Sequence, residues 1–166
     1  MPEKKTIERA RRDAREGKAP STQAGEFVRE EMEHIREGKH GARSTKQAIA
    51  IGLSKARRAG VKLPPPKKGK ASEETRTQAK RNYAEGRKSP GKKPSPTRSR
   101  AITKALKREG TEAASSSALS RQARASARNR SAGDRREAAR KAVRTKGTTG
   151  LRSAARKAAL TRSRDR

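Results

Sequence analysis

The chain has 166 residues, of which 47 are Lys or Arg and 17 are Asp or Glu, giving a formal charge of +30 at pH 7. Hydrophobic residues make up 28%; 28 of them are alanine and 18 are larger, with one Phe, one Tyr and no Trp. So few large apolar groups among so many charges exclude a conventional core over the whole length, because burial cannot offset the ordering entropy. The lack of cysteine excludes disulfides, thiolate metal sites and a cysteine nucleophile.

The expected fold class is mainly α with extensive disorder: one αα-hairpin and a basic Ala/Lys/Arg tail of short or binding-induced helices. Residues 1–38 carry 9 basic and 9 acidic side chains, and the remainder carry 38 and 8, so the whole net charge lies after Gly38. Residues 1–20 read as a charged N-terminal arm, with 1–16 a solvated and frayed helix in which Ile7 is the one large apolar residue beyond Met1. No apolar signal core follows Met1 and no 18-residue apolar run occurs. The expectation is therefore a cytoplasmic chain, neither exported by a standard signal nor spanning a membrane.

Residues 21–63 are the expected folded unit, since nine of the eighteen large apolar residues fall between Phe27 and Leu63. Ala24, Phe27, Val28, Met32 and Ile35 recur at helical spacing from about 22 to 37, with Gly38 as the stop. Ser44 and Gln47 form an SxxQ capping box opening a second helix, about 45 to 59, with Ala48, Ile49, Gly52, Leu53 and Ala56 on one stripe. Gly60 with Val61 reads as a Schellman end, closed by Pro64, Pro65 and Pro66. The first helix is rich in Glu and residues 43–62 hold six basic groups and no acid, so opposite charges assist the pairing. A unit this small is near the limit for folding alone, which suggests a homodimer of two hairpins burying their stripes.

Residues 64–98 read as an extended Pro-rich basic linker, and residues 99–166 as a tail with helical tendencies at about 99–109, 117–130, 135–145 and 151–162. Glycines at 110, 133, 147 and 150 separate these stretches. Asp134 and Glu137 make a DxxE start signal. The segment Ala138-Ala139-Arg140-Lys141-Ala142 recurs as Ala154-Ala155-Arg156-Lys157-Ala158, each copy pairing an alanine face with cations. Neutralising those charges on a polyanion removes the repulsion that opposes helix formation, so the tail is expected to turn helical on binding.

Nothing in the chain matches a catalytic motif: there is no HExxH, GxSxG or Walker loop, and the two histidines, His34 and His40, have no recognisable partners. Glu30 and His34 stand four apart, a spacing that suits a shared metal, yet an acidic helix face is ordinarily solvated. Gly38-Lys39-His40-Gly41 lacks the preceding strand of a phosphate loop and reads as a helix end. No enzyme activity and no cofactor are expected.

The charge points to a nucleic-acid partner, because each Lys or Arg that neutralises a phosphate releases condensed counterions and needs no pocket. Single strands are gripped by stacking on aromatic rings, of which only Phe27 and Tyr83 are available, so duplex DNA is favoured and RNA is the alternative partner. The candidate contacts are Lys46, Lys55, Arg57, Arg58, Lys92, Lys93, Arg98, Arg100, Lys104, Lys107, Arg108, Arg121, Arg124, Arg128, Arg140, Lys141, Arg144, Arg156 and Lys157. On the second helix these cations cluster at the two ends, which suits phosphates beside a groove more than bases within it, so little sequence preference is expected. The function read from the residues is a non-sequence-specific, nucleoid-associated DNA-binding protein acting by phosphate neutralisation and bridging. A ribosome- or RNA-associated factor, and a partner-binding hairpin localised by its tail, are the other two readings.

The stretches Gly25-Glu26-Phe27-Val28-Arg29-Glu30-Glu31-Met32, Gly38-Lys39-His40-Gly41-Ala42-Arg43-Ser44 and Lys46-Gln47-Ala48-Ile49-Ala50-Ile51-Gly52-Leu53-Ser54 together resemble an uncharacterised family of small, highly basic bacterial proteins. Some relatives carry a plasmid-stabilisation label. The resemblance covers about 21 to 66, implies a bacterial cytoplasmic setting and lends no catalytic residues. The tail is similar in composition to linker-histone tails, as are the Ser-Pro pairs in Lys88-Ser89-Pro90-Gly91-Lys92-Lys93-Pro94-Ser95-Pro96, which lack the Gly-Arg-Pro centre of an AT-hook.

Overall fold

The computed structural model describes residues 2–92 and 95–164, which hold seven α-helices, one short 3-10 turn and no strand. In chain order these are α1 (Lys4–Arg15), α2 (Pro20–Arg36), α3 (Thr45–Arg58), α4 (Glu73–Lys88), α5 (Pro96–Leu106), the 3-10 turn Glu112–Ala114, α6 (Ser116–Arg128) and α7 (Ala132–Arg164). The chain divides into two units, Met1–Gln122 and Ala123–Arg166.

The expected hairpin is α2 and α3. Pro20 fills the first turn of α2, where a missing N–H costs nothing. Gly38, at φ 70°, ends it: its N–H donates to Ile35 O, and Lys39 N–H donates to His34 O, the two bonds of a Schellman end. The end of α3 repeats the device with Gly60 (φ 95°), whose N–H donates to Arg57 O while Val61 N–H reaches Ala56 O; Val61 is buried. Ser44 Oγ accepts from Gln47 N at 3.2 Å. The returning arm of the capping box differs from expectation, for Gln47 Oε1 accepts from Arg43 N at 2.8 Å, one residue before the cap.

The hairpin's apolar stripe is covered from within the same chain. Phe27 and Ala24 pack with Ala56, Val61 and Ala10 of α1, with Ile7, Leu53 and Leu63 at the edge. Met32 and Ile35 pack with Ala42, Ala48, Ala113 and Ala114, with Val28, Ile49 and Leu119 around them. The face expected to meet a second copy is thus occupied by α1 and the 3-10 turn. Residues 4–15 are accordingly not a solvated helix: Thr6, Ala10 and Asp13 are buried. The small groups let α1 lie close on α2, and Lys18 Nζ satisfies Asp13 Oδ1 at 2.7 Å.

Residues 73–88, read as extended linker, form α4 against α3. Ser72 Oγ caps it by accepting from Thr75 N, Glu73 and Glu74 occupy the positively polarised first turn, and Ala79, Asn82 and Gly86 bury its inner face. Three small residues at positions 79, 82 and 86 carry the helical stripe, so the absence of large apolar groups hid it. The proline run before α4 is fastened by arginines: Arg57 Nε donates to Leu63 O and Arg76 Nε to Pro66 O.

The loop between α2 and α3 grips the segment after α5. Gly41 N–H donates to Leu106 O, Ala42 N–H to Gly110 O, Thr45 Oγ1 to Ala113 O at 2.7 Å, and Arg36 Nε to Ala114 O at 2.9 Å. Ala113 and Ala114 therefore close the core from far downstream in the chain.

In the second unit the long α7 is interrupted at Gly147, where φ 62° and ψ −179° leave the helical region. Gly133 and Gly150, expected as breaks, lie inside it. Its start is capped by Ser131, whose Oγ accepts from Asp134 N while Asp134 Oδ2 accepts from Ser131 N. Asp134 is thus the third-position partner in a box opened three residues earlier than the DxxE reading. No residue from 115 to 163 is buried, in keeping with an alanine face that has no large side chain to enclose.

Candidate nucleic-acid interface

The cations of α3 divide sharply. Lys46 is exposed in the first turn. Lys55 reaches across to α2, with Nζ 2.5 Å from Glu31 Oε2 and 3.9 Å from Glu30 Oε1. Arg57 is buried, its guanidinium donating to Leu63 O at 3.2 Å and Pro64 O at 3.4 Å, and burial pulls its pKa below the ordinary arginine value. Arg58 faces Glu85 of α4 at 3.9 Å. Three of the four α3 candidates are therefore engaged inside the fold: they sit where α3 meets α2, α4 and the proline run, and a buried cation must find oxygen partners.

The α5 group is arranged differently. Arg98, Arg100, Lys104, Lys107 and Arg108 are all exposed, and Arg100, Lys104, Lys107 and Arg108 line an open groove with Ser99 and Thr103. Spacings of three and four bring these cations to one helix face. The backbone bonds from Gly41 and Ala42 hold the C-terminal end of α5 to the hairpin, and Gly91 N–H donates to Arg58 O just before it. Lys92 is exposed; Lys93 lies outside the described residues.

Arg121 and Arg124 project from α6 with Arg128, and Arg140, Lys141, Arg144, Arg156 and Lys157 project from α7; all of them are exposed. No hydrogen bond or ion pair joins any of these side chains, or those of the α5 group, to another described residue. Residues 123–166 hold 15 basic and 3 acidic side chains, so the cations outnumber every local acid that could pair with them. Tyr83 is half-buried, with the Arg87 guanidinium 6.0 Å from its ring centre.

The acidic side of the hairpin has its own network. Arg9 and Arg29 face Glu26. Glu3 Oε1 bonds His34 Nε2 at 3.0 Å and stands 3.5 Å from Lys39 Nζ; the His34 bond, then Lys39, hold the Glu3 carboxyl below its ordinary pKa. Lys39 is correspondingly raised, chiefly by Glu37 and then by Glu3. The pairing of Glu30 with His34 weighed from spacing does not form, since Glu30 Oε2 accepts from Glu3 N at 3.1 Å. It is Glu31, with no exposed surface, whose ligand atom lies within 4.8 Å of those of both His34 and His40. Spacing could have found it: residues 31 and 34 are three apart on one face, and Gly38 turns the chain back so that His40 meets them.

These features define a helical hairpin, wrapped by α1, α4 and residues 106–114, that is followed in the chain by helices rich in unpaired cations. Residues 3–68, which include α1, α2, α3 and the proline run, match the profile of a family of unknown function, DUF6496. No curated protein and no solved structure matches the chain. No helix among the described residues is long and apolar enough to cross a membrane.

Proposed function

We propose that the chain is a non-enzymatic, nucleoid-associated protein that binds duplex DNA with little sequence preference, by neutralising phosphates with the helices after residue 95. The single observation that supports this reading most is the contrast between two sets of cations. Lys55, Arg57 and Arg58 of the hairpin are engaged by carboxylates and carbonyls, whereas the candidate cations on α5 and just after it, and on α6 and α7, are solvent-facing and unpaired among the described residues. Unpaired cations at this density repel one another, and a polyphosphate relieves that repulsion while releasing its own counterions. Half-burial of Tyr83 and full burial of Phe27 leave no exposed ring among the described residues for stacking unpaired bases, which favours a duplex over a single strand. Cations on both units of one chain give two points of attachment, so bridging of duplex segments follows from effective concentration without a homodimer.

The test is a salt titration of binding by the full chain to duplex DNA of several sequences, with structured RNA as competitor. Affinity falling by about three to five decades between 50 and 200 mM salt, alike for all sequences, is expected if roughly 6 to 10 phosphates are contacted. Affinity insensitive to salt sinks the mechanism, and preference for structured RNA transfers it to the ribosome-associated reading.

A further inference from the structure

We propose that Glu31, His34 and His40 form a binding site for one divalent transition-metal ion of the zinc class, independent of the cationic helices. The inference begins with a mismatch of lone pairs. His40 Nδ1 lies 3.1 Å from Gly41 O, a group that only accepts, so this nitrogen carries the hydrogen. In the neutral ring the other nitrogen, Nε2, is then the lone pair, and it faces Glu31 Oε1 at 3.4 Å. Carboxylate oxygen and bare imidazole nitrogen are both acceptors, and Glu31 is fully buried with no hydrogen-bond partner for Oε1. A positive centre between the two resolves the mismatch.

The third donor is His34, whose Nε2 bonds the acceptor Glu3 Oε1 at 3.0 Å, so that its neutral ring keeps the lone pair on Nδ1. The ligand atoms of the three residues lie within 4.8 Å of one another. Bonds of about 2.0–2.1 Å in a tetrahedral zinc site place neighbouring donors roughly 3.4 Å apart, the separation already present between His40 and Glu31. Each ligand also has the outer support such sites use: Gly41 O behind His40, Glu3 behind His34, and Lys55 Nζ at 2.5 Å from the far Glu31 oxygen, an ion-pair contact not aligned as a hydrogen bond. Two imidazoles with one carboxylate suit zinc or its softer neighbours and not magnesium or calcium, which take oxygen donors. Three protein ligands leave the fourth position for water.

The experiment uses the full chain and zinc chloride, with cobalt(II) chloride as a spectroscopic probe. One equivalent of zinc is expected to bind, to release protons in a pH-dependent manner and to raise the melting temperature; cobalt should give the intense visible bands of a tetrahedral site. His34→Gln and His40→Gln should each weaken binding by more than the roughly 10- to 100-fold that loss of an outer-shell partner costs, and Glu3→Gln by an amount within that range. Because the chain holds 2 histidines, side-chain 15N resonances of the unaltered protein give a second readout that no misfolded variant can obscure: zinc should move one nitrogen of each ring. Unmoved histidine nitrogens, or equal zinc uptake by the unaltered chain and a variant carrying both His34→Gln and His40→Gln, overturn the site; Nε2 of His40 found protonated at neutral pH with excess zinc shows that a proton fills the gap instead.

Discussion

Lys55 Nζ stands 2.5 Å from Glu31 Oε2 across the seam between α2 and α3, and the carboxylate it meets has no contact with solvent. A charge so placed depends on its partner, since removing one member of a buried pair leaves the other unpaired in a poor dielectric. Lys55→Met is expected to destabilise the fold by about 3 kcal/mol while leaving the salt dependence of DNA binding unchanged. Urea unfolding together with a salt titration checks both halves; a reduced salt slope would show that Lys55 meets phosphate after all.

Gly52 lets the backbones of the two hairpin helices approach closely at Val28. A Cβ there falls 2.7 Å from Val28 Cα, a backbone atom that cannot yield without moving α2. Gly52→Ala should cost about 1–3 kcal/mol despite alanine's better helix propensity, the sign expected of overpacking. A rise in the urea midpoint contradicts the packing described.

Ala114 joins the downstream segment to the hairpin core with no exposed surface. Ala114→Asp places an unpaired charge there and should free residues 106–114 from the hairpin loop. Hydrogen exchange reads this directly: the amides of Gly41 and Ala42, which donate to Leu106 O and Gly110 O, should exchange faster while those in the middle of α2 do so less.

On the proposed reading, the cations of the helices beyond residue 115 act through their number. Replacing Arg124, Arg128, Arg140 and Arg144 by Gln should lower the log–log salt slope by about 0.9 for each phosphate left without its cation, and weaken all duplexes alike. Their exposure places no core packing at risk, so the melting temperature should hold.

Lys18 supplies an alkaline limit. Its ammonium bonds Asp13 and Glu16, in that order of effect, and its pKa is raised above the ordinary lysine value. A raised folded-state pKa contributes stability that is full below the unfolded value and is lost as pH rises through the folded one. Stability should therefore decline above the usual lysine range, and Lys18→Met should flatten that part of the curve in thermal melts.

The hairpin was legible because its signals are local: apolar residues at helical spacing, Ser44 with Gln47, and Gly38 and Gly60 at the ends. What escaped was built from small residues or from distance. Ala79, Asn82 and Gly86 give α4 an inner face with no hydrophobic signature, and α1 relies on Thr6, Ala10 and Asp13. Ala113 and Ala114 look like tail until residues 41–45 bind their neighbourhood. Among the candidate contacts, charge alone could not separate Arg57, turned inward onto Leu63 and Pro64, from Arg140, turned outward; only the proline run's need for donors distinguishes them.

The break at Gly147 matters for any winding ligand. At 1.5 Å per residue, the stretches before and after it are about 22 and about 25 Å long, each less than the roughly 34 Å over which a duplex completes one revolution. An unbroken rod of their combined length would drift out of phase with the strand it follows. On the proposed reading, the break at Gly147 would let the Arg140 and Arg156 copies of the repeated segment each follow their own stretch of backbone.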